Sequence, residues 1–556
     1  MLLLTKTRAN ILSKIGLRKL KKYTNHIIIK LLFLTILFFG LHSCQNTSKN
    51  DRDHLVFRYN EHANITSLDP AFAKDQRNIW PCNQLYNSLV QLDDSLTIQP
   101  DLAERWTISK DAKTYTFSLR KQVYFHKNKI FGKDSTRTVN AHDVVYSLKR
   151  LTNPKLASPG SWVMQNVETI SAENDSTVKI QLKNPFPAFL GLLSMKFCSV
   201  IPKEMEELDF RENPIGTGPF KFKRWEANEK LVFRKNNLYF EKDKNGKQLP
   251  YLEAVAITFL PDKQSEFLQF AQGNLDFLSG LDPSYKDELL SSVGKLKKKY
   301  GNRIEMLSAP YLNTEYLGIY LDSKTPEINA RQLRQAINYG FNRETMITYL
   351  RNGIGTPAEN GFIPKGLPGF SKKKYYEYNP QKAKELIAAY QAATGDTSPE
   401  FTISTNSSYL DLVEYIQREL QKIGIQVNID VMPPSTLRQQ RSAGKLDIFR
   451  ASWIADYPDA ENYLSLFYSE NFSPNGPNYT HFKSATFDSL YKKAIHTSEA
   501  KDRIPLYQQM DSIVMNEAAV VPLYYDQVVR FTQKNVKGLG INPINLLDLK
   551  KIKKIK

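Results

Sequence analysis

Residues 409–431 most restrict what this chain can become. Tyr409, Leu412, Val413, Ile416, Leu420 and Ile423 recur at helical spacing, which predicts an amphipathic helix with one buried stripe. Gly424 is a helix stop, and Ile425–Val431 then alternates apolar and polar side chains as a half-buried strand does. A helix that ends on glycine and feeds a strand is a crossover element of an α/β fold. A short helix over 435–443 follows and leads into the stretch Leu446–Tyr463, which starts as a strand whose bulky apolar members are Ile448, Phe449 and Trp453.

That strand breaks at Tyr457-Pro458-Asp459, a turn signal that removes backbone pairing. Where a buried strand opens into a turn, polar side chains can face a cleft from a rigid backbone. Arg450, Asp456 and Asp459 stand there among Trp453, Tyr457 and Tyr463. The set reads as an aromatic pocket with an anionic end, suited to a ligand carrying an ammonium group. It also reads as a turn of solvated acids over a half-buried Trp.

At 556 residues the chain is too long for one core, so two or three lobes are expected, and 41% apolar content argues against disorder. The net charge of +19 is unevenly placed. Residues 1–43 carry eight basic side chains and no acid, five lysines lie in Lys550–Lys556, and about +6 remains for the body. Charge gathered at the two ends argues against nucleic-acid binding and for attraction of both ends to an anionic membrane surface.

The start of the chain fits that view. A basic stretch at Lys19–Lys22 precedes His26–Gly40, which is largely apolar with Lys30 its one charge. Leu41-His-Ser-Cys44 then resembles the lipobox of bacterial lipoproteins, with His42 bulkier than usual at its position. The resemblance implies cleavage before Cys44 and acylation of that residue. Each buried CH₂ contributes roughly 0.8 kcal/mol, so more than one lipid chain anchors stably. The alternative is an uncleaved membrane helix, but Leu31–Gly40 is short for a span of about 20 residues. Residues 44–54 are polar and read as a flexible tether. Gln45, with no acidic run after Cys44, points toward the periplasm. Cys82 and Cys198 are the other cysteines, and spacing leaves open whether they form a bridge. No metal site is assigned, because no His or Cys stands at metal-ligand spacing from another ligand.

In the first half, Leu55–Tyr59 reads as a strand and Asn83–Val90 as a helix with Leu85, Tyr86 and Leu89 on one face. Tyr115–Arg120 alternates as a strand, and Asn140 caps a helix whose stripe is Val144, Val145, Leu148 and Leu151. Asn213-Pro-Ile-Gly-Thr-Gly-Pro-Phe220 lacks either phosphate-loop spacing, so its glycines are expected to let the chain turn sharply into Phe220–Trp225. In the second half, residues 329–343 predict one helix with Leu333, Ile337 and Phe341 inward. Gly340 inside it costs about 1 kcal/mol against Ala, which suggests close packing. Another helix is expected over Arg503–Asn516, with Pro505 in its first turn.

The order of these segments carries a resemblance. Leu68-Asp-Pro, Asp101-Leu-Ala-Glu-Arg-Trp, Tyr115-Thr-Phe-Ser-Leu-Arg, Asp143-Val-Val-Tyr-Ser-Leu-Lys-Arg, Gly216-Thr-Gly-Pro-Phe, Arg334-Gln-Ala-Ile-Asn-Tyr and Trp453-Ile-Ala-Asp-Tyr-Pro-Asp occur in that sequence. Together they resemble the family 5 extracytoplasmic solute-binding proteins, the oligopeptide-binding proteins of ABC importers, over roughly residues 55–542. The resemblance implies a two-lobe α/β clamshell with a small lobe inserted in the N-terminal lobe. Its division would be a leader over 1–43, a tether over 44–54, and a main lobe of 55–88, 213–312 and 524–556. The small lobe would be 89–212, and 313–523 would form the second lobe carrying the motif.

The resemblance also implies that Asp456 holds a peptide's α-amino group, with Arg450 and Arg441 on the peptide carboxylate or on Asp456 itself. Asp447 and other acids of the second lobe are the competing partners for both arginines. Trp453, Tyr457, Asp459 and Tyr463 are further candidates to line the ligand. The expected partners are short peptides, the permease subunits and the membrane, with a monomeric chain and neither cofactor nor catalytic group. One departure is Lys74, four residues past Pro70, where an acid can help grip the amino end. Other solutes for the same fold (a metal chelate, a muropeptide, an oligosaccharide) stay open. A secreted hydrolase is disfavoured, because neither Gly-x-Ser-x-Gly nor His-Glu-x-x-His occurs.

Overall fold

Three sheets of four or more strands organise the chain, and a computed structural model describes residues 55–555 of it. The leader, Cys44 and the tether lie outside the described residues. The first sheet runs in the order Val56–Asn60, Ala254–Thr258, Lys230–Lys235, Phe220–Glu226, its first pair parallel and the others antiparallel. The small lobe is an antiparallel sheet of Ala103–Ile108, Thr114–Leu119, Thr177–Leu182 and Val167–Asn174. Tyr115, Phe117 and Leu119 point into its core, and Asn140 caps the covering helix Ala141–Arg150 in a reciprocal pair with Asp143.

The second lobe is built on a seven-stranded mixed sheet. Glu400–Thr405 and Gln426–Val431 lie parallel, joined by the helix Leu410–Gln421, which buries Leu412, Val413, Ile416 and Leu420. Gly424 ends the crossover at φ +95°, a conformation glycine adopts without a Cβ penalty. Ile448–Ile454 packs on both faces. Phe449 and Ala451 join one core with Tyr463, while Ile448 joins the opposite core with Ile403 and Ile319.

Two long strands, Ile304–Ile319 and Val520–Gln533, pair antiparallel and run from this sheet toward the first lobe. There Phe277 pairs with Thr532, and Arg58 and Asp276 exchange hydrogen bonds, tying the ribbon to the first sheet. The ladder shifts register between Pro310 and Thr314. In that bulge Leu312 donates its amide to Pro543 at 2.7 Å and turns its carbonyl to Ala455, whose amide donates at 2.9 Å.

Several expectations need correction. The helix of the first lobe is Gln76–Leu85, capped by Asp75 and containing Pro81, and the chain is extended by Tyr86. Residues 329–343 form not one helix but the end of a short turn, Arg331–Tyr339, and the start of Arg343–Leu350. Gly340 is the cap between them, and a Cβ there would stand 2.7 Å from Leu420 and Ile423, so the close packing is real. The helix ending at Asn516 begins at Ala500 and carries Pro505 inside it. Neither Gly216 nor Gly218 has a left-handed φ. They admit close backbone approach instead: Gly218 donates to Leu85 at 2.9 Å, and a Cβ on it would lie 2.6 Å from the Gln84 carbonyl.

The C-terminal lysines are not a free basic tail. Leu547, Leu549 and Ile552 return to the first-lobe core, where Gln84 donates to the Leu547 carbonyl at 2.7 Å. This return places Lys550 against Glu241 at 3.0 Å and Lys554 against Asp276 at 2.8 Å. Two of the charges expected to meet a membrane are thus consumed inside the protein. Cys82 and Cys198 are both buried and free.

The large sheet also buries charge. Arg450 pairs with Glu315 on the neighbouring strand and lies 3.2 Å over the Tyr409 ring. Arg351 pairs with Asp526 at 2.7 Å beside them. Burial pushes the Glu315 carboxyl up against the pull of Arg450. Removing one partner strands a buried charge, which costs about 3–5 kcal/mol. Arg450→Met is therefore expected to lower the melting temperature of the ligand-free protein by many degrees in calorimetry, with much of the loss recovered in the Arg450→Met/Glu315→Leu double variant.

Candidate functional site

The ribbon bulge and the first-lobe helix meet across a cavity of about 730 Å³, a size that suits a small ligand. Lys74, Asp75, Ile79 and Asn83 line it from the first-lobe helix and its approach, and Asn542, Leu546 and Asp548 from the C-terminal return. Gln91 and Asp94 come from the hairpin after it, and Ser194, Met195 and Lys196 from the small lobe. The second lobe contributes Tyr311, Ile454, Ala455 and Asp456. The lobes touch beside Asp456: Tyr457 is counted in the small lobe's core, and a Cβ on Gly191 would lie 3.1 Å from the Tyr457 Cβ.

Asp456 is held by its backbone rather than by a counter-charge. The strand Ile448–Ile454 ends, Ala455 donates to the bulged Leu312 carbonyl, and the chain turns into the cavity at the next residue. Asn462 completes the mount. Its Oδ1 accepts from the Asp456 amide at 3.2 Å and from the Trp453 indole at 2.9 Å, and its Nδ2 donates to Asp456 Oδ2 at 3.3 Å. The Asp456 side chain keeps an open face to the cavity. The protein on its other sides displaces enough water to push the carboxyl up to about 6, against the pull of Asn462. Among the described residues no lysine or arginine forms an ion pair with it. A carboxylate that is accessible, poorly solvated and unpaired favours an arriving cation.

The other sequence candidates have internal partners. Arg450 is committed to Glu315, and Arg441 stacks 4.1 Å over the Tyr479 ring. Asp447 pairs with neither arginine, because it accepts from the hydroxyls of Ser323 and Thr325. Trp453 is half-buried, with its indole spent on Asn462. Tyr457 donates to Glu461, which Tyr491 also holds. Asp459 shapes the turn: it accepts from the Glu461 amide at 3.0 Å and the Tyr507 hydroxyl at 2.7 Å, and pairs with Arg503 at 3.2 Å. Tyr463 is fully buried and donates to the Leu312 and Trp453 carbonyls. Of the seven ligand candidates, Asp456 alone lines the cavity.

Three contributors escape a reading of the motif. Tyr311 faces the cavity because of a bulge that no local pattern announces. The C-terminal return lines it although its composition reads as a basic tail. Asn462 has a legible signal, an amide six residues after Asp456 in a segment otherwise rich in rings and acids, but its role needs the turn geometry. Lys74 lies on the cavity wall, where the sequence departs from the peptide-binding pattern.

Comparison with known proteins agrees with this architecture. Residues 97–475 match the model of bacterial extracellular solute-binding proteins, family 5. The dipeptide-binding protein of Escherichia coli is 27% identical over 487 residues, covering 83% of this chain and 87% of that one. Heme-binding protein A of Haemophilus influenzae is 29% identical over 492 residues, covering 83% and 85%. The periplasmic binding protein DppA of Helicobacter pylori, solved with the peptide STSA, superposes with a TM-score of 0.76 at 28% identity, covering 90% of this chain and 98% of that one. The fold is the two-lobe clamshell of such binding proteins, and this chain belongs to family 5 of the bacterial extracellular solute-binding proteins.

Proposed function

We propose that this protein is the lipid-anchored receptor of an ABC importer, and that it captures short peptides between its lobes for delivery to a membrane permease. The observation that carries the reading is the Asp456 carboxylate, unpaired and open on the cavity wall. A peptide's α-ammonium supplies the charge this group lacks. A charge-assisted contact of about 1.5–3 kcal/mol is worth roughly tenfold to a hundredfold in affinity. The rest of an extended peptide can be read through its main chain, leaving its side chains in permissive pockets. A ligand that touches both lobes favours their closed arrangement by its differential affinity for it. Relatives named for a dipeptide and for heme show that the family's ligands vary. The free carboxylate favours a ligand with a positive end.

Titration with Ala-Phe and N-acetyl-Ala-Phe tests the assignment. Asp456→Asn is expected to weaken Ala-Phe at least tenfold while shifting the ligand-free melting temperature by no more than a few degrees. Equal affinity of the unmodified protein for the free and acetylated peptides would remove Asp456 from the amino-end role.

Acidity supplies an independent check. Protonation of Asp456 discharges it below about 6, and an ammonium ligand binds the ionised form. Ala-Phe affinity should therefore be highest near pH 7 and fall about tenfold per unit on acidification below 6, with protons released on binding near that pH. Calorimetry in buffers of different ionisation enthalpy measures both. Asp456→Asn should flatten this part of the profile.

The anchor is tested in cells. Cys44→Ala is expected to move the protein from the membrane fraction to the soluble fraction. A variant that stays membrane-bound with its leader attached would instead identify residues 31–40 as part of an uncleaved anchor.

A further inference from the structure

The small lobe places an unusual cation at the cavity. Lys196 opens the turn Lys196–Cys198 directly after the helix Phe189–Ser194, and it is 7% exposed. The other lysines and arginines buried to this degree are Arg334, Arg343, Arg503, Arg530 and Lys550, and each donates hydrogen bonds to carbonyl, amide or carboxylate oxygens. The Lys196 ammonium makes no hydrogen bond or ion pair among the described residues, and Lys196 lines the same cavity as Asp456. A buried ammonium without a partner is costly, and proteins seldom keep one without a use.

The acids that act on it through space, Asp101 and Asp548, are already engaged. Asp101 accepts from the Asn87 amide at 2.8 Å and the Ser88 backbone at 3.0 Å. Asp548 accepts from the Lys550 amide at 3.0 Å. Both stabilise the charge on Lys196 through space while Lys550 opposes it, and burial outweighs them and pushes its pKa down. The charge is thus tolerated but not satisfied.

The position relative to Asp456 gives the ammonium a purpose. Tyr457 packs on Gly191, one residue along the chain from Asp456 and five from Lys196. The second lobe therefore brings an unpaired anion, and the small lobe an unpaired cation, to the walls of one cavity.

We propose that Lys196 binds a carboxylate of the ligand, so that the cleft selects short zwitterionic peptides by gripping opposite charges from opposite lobes. The inference rests on the peptide reading above. It adds a specificity-determining residue that lies in the small lobe, outside the motif strand.

The test uses the full-length protein and its Lys196→Met and Lys196→Gln variants, titrated with Ala-Phe, Ala-Phe-amide and Ala-Glu-amide. Both variants should bind Ala-Phe at least tenfold more weakly and Ala-Phe-amide within twofold of the unmodified protein, which assigns Lys196 to the terminal carboxylate. A selective loss for Ala-Glu-amide instead would support the carboxylate role with a side chain as its source. In both variants the ligand-free melting temperature should stay level or rise, since a stranded charge has been removed. Equal losses for all three peptides, no loss for any, or a lowered melting temperature in both variants would overturn the inference and leave the Asp456 assignment standing. If the unmodified protein binds none of the three, the peptide reading falls and this inference falls with it.

Discussion

The carbonyl of Leu312 fixes the geometry on which the cleft depends. It stands in a bulge of the long ribbon and accepts from the Ala455 amide and the Tyr463 hydroxyl. Those two bonds clamp the motif just past the end of its strand and within the following helix, and Asp456 between them lines the cavity. The same bulge turns the preceding residue, Tyr311, to the cavity wall. A single irregularity in a ladder thus positions two side chains that a regular strand would have packed away.

The charged residues around the motif divide by what they can reach. Arg450 and Asp459 find partners within the second lobe, Glu315 and Arg503, and hold that lobe rigid. Asp456 has only an amide to lean on. Burial without a counter-charge raises its proton affinity and its appetite for a cation together, because both follow from poor solvation of the charged form. Rigidity and binding are therefore served by different members of one short stretch. The mount must be stiff for the free carboxylate to stay unpaired.

Closure gives these local facts their consequence. Tyr457 enters the small lobe's core while its hydroxyl stays bonded to Glu461 of its own lobe, so the lobe contact is apolar and its ring is held in place. A ligand that neutralises both Asp456 and Lys196, which stand on different lobes, gains most when the lobes are together.

The architecture was legible in local patterns. The crossover around Leu410–Val431, the alternating strand at Thr114–Leu119 and the Asn140 cap appear where periodicity and capping chemistry put them. Asp456 was legible too, as the acid at a strand-to-turn break. Helix limits near Pro81 and Pro505 were misplaced, since both helices begin earlier and carry the proline in their interior. Sequence by itself determined which segments are helix or strand, and which stretch is rich in candidate groups. Only the tertiary structure decided which of those groups remain free. Arg450 meets a glutamate 135 residues away, and Lys550 an acid 309 residues away. Lys196 meets none. Periodicity is set by neighbours along the chain, whereas the pairing of a charge depends on residues that only packing brings within reach.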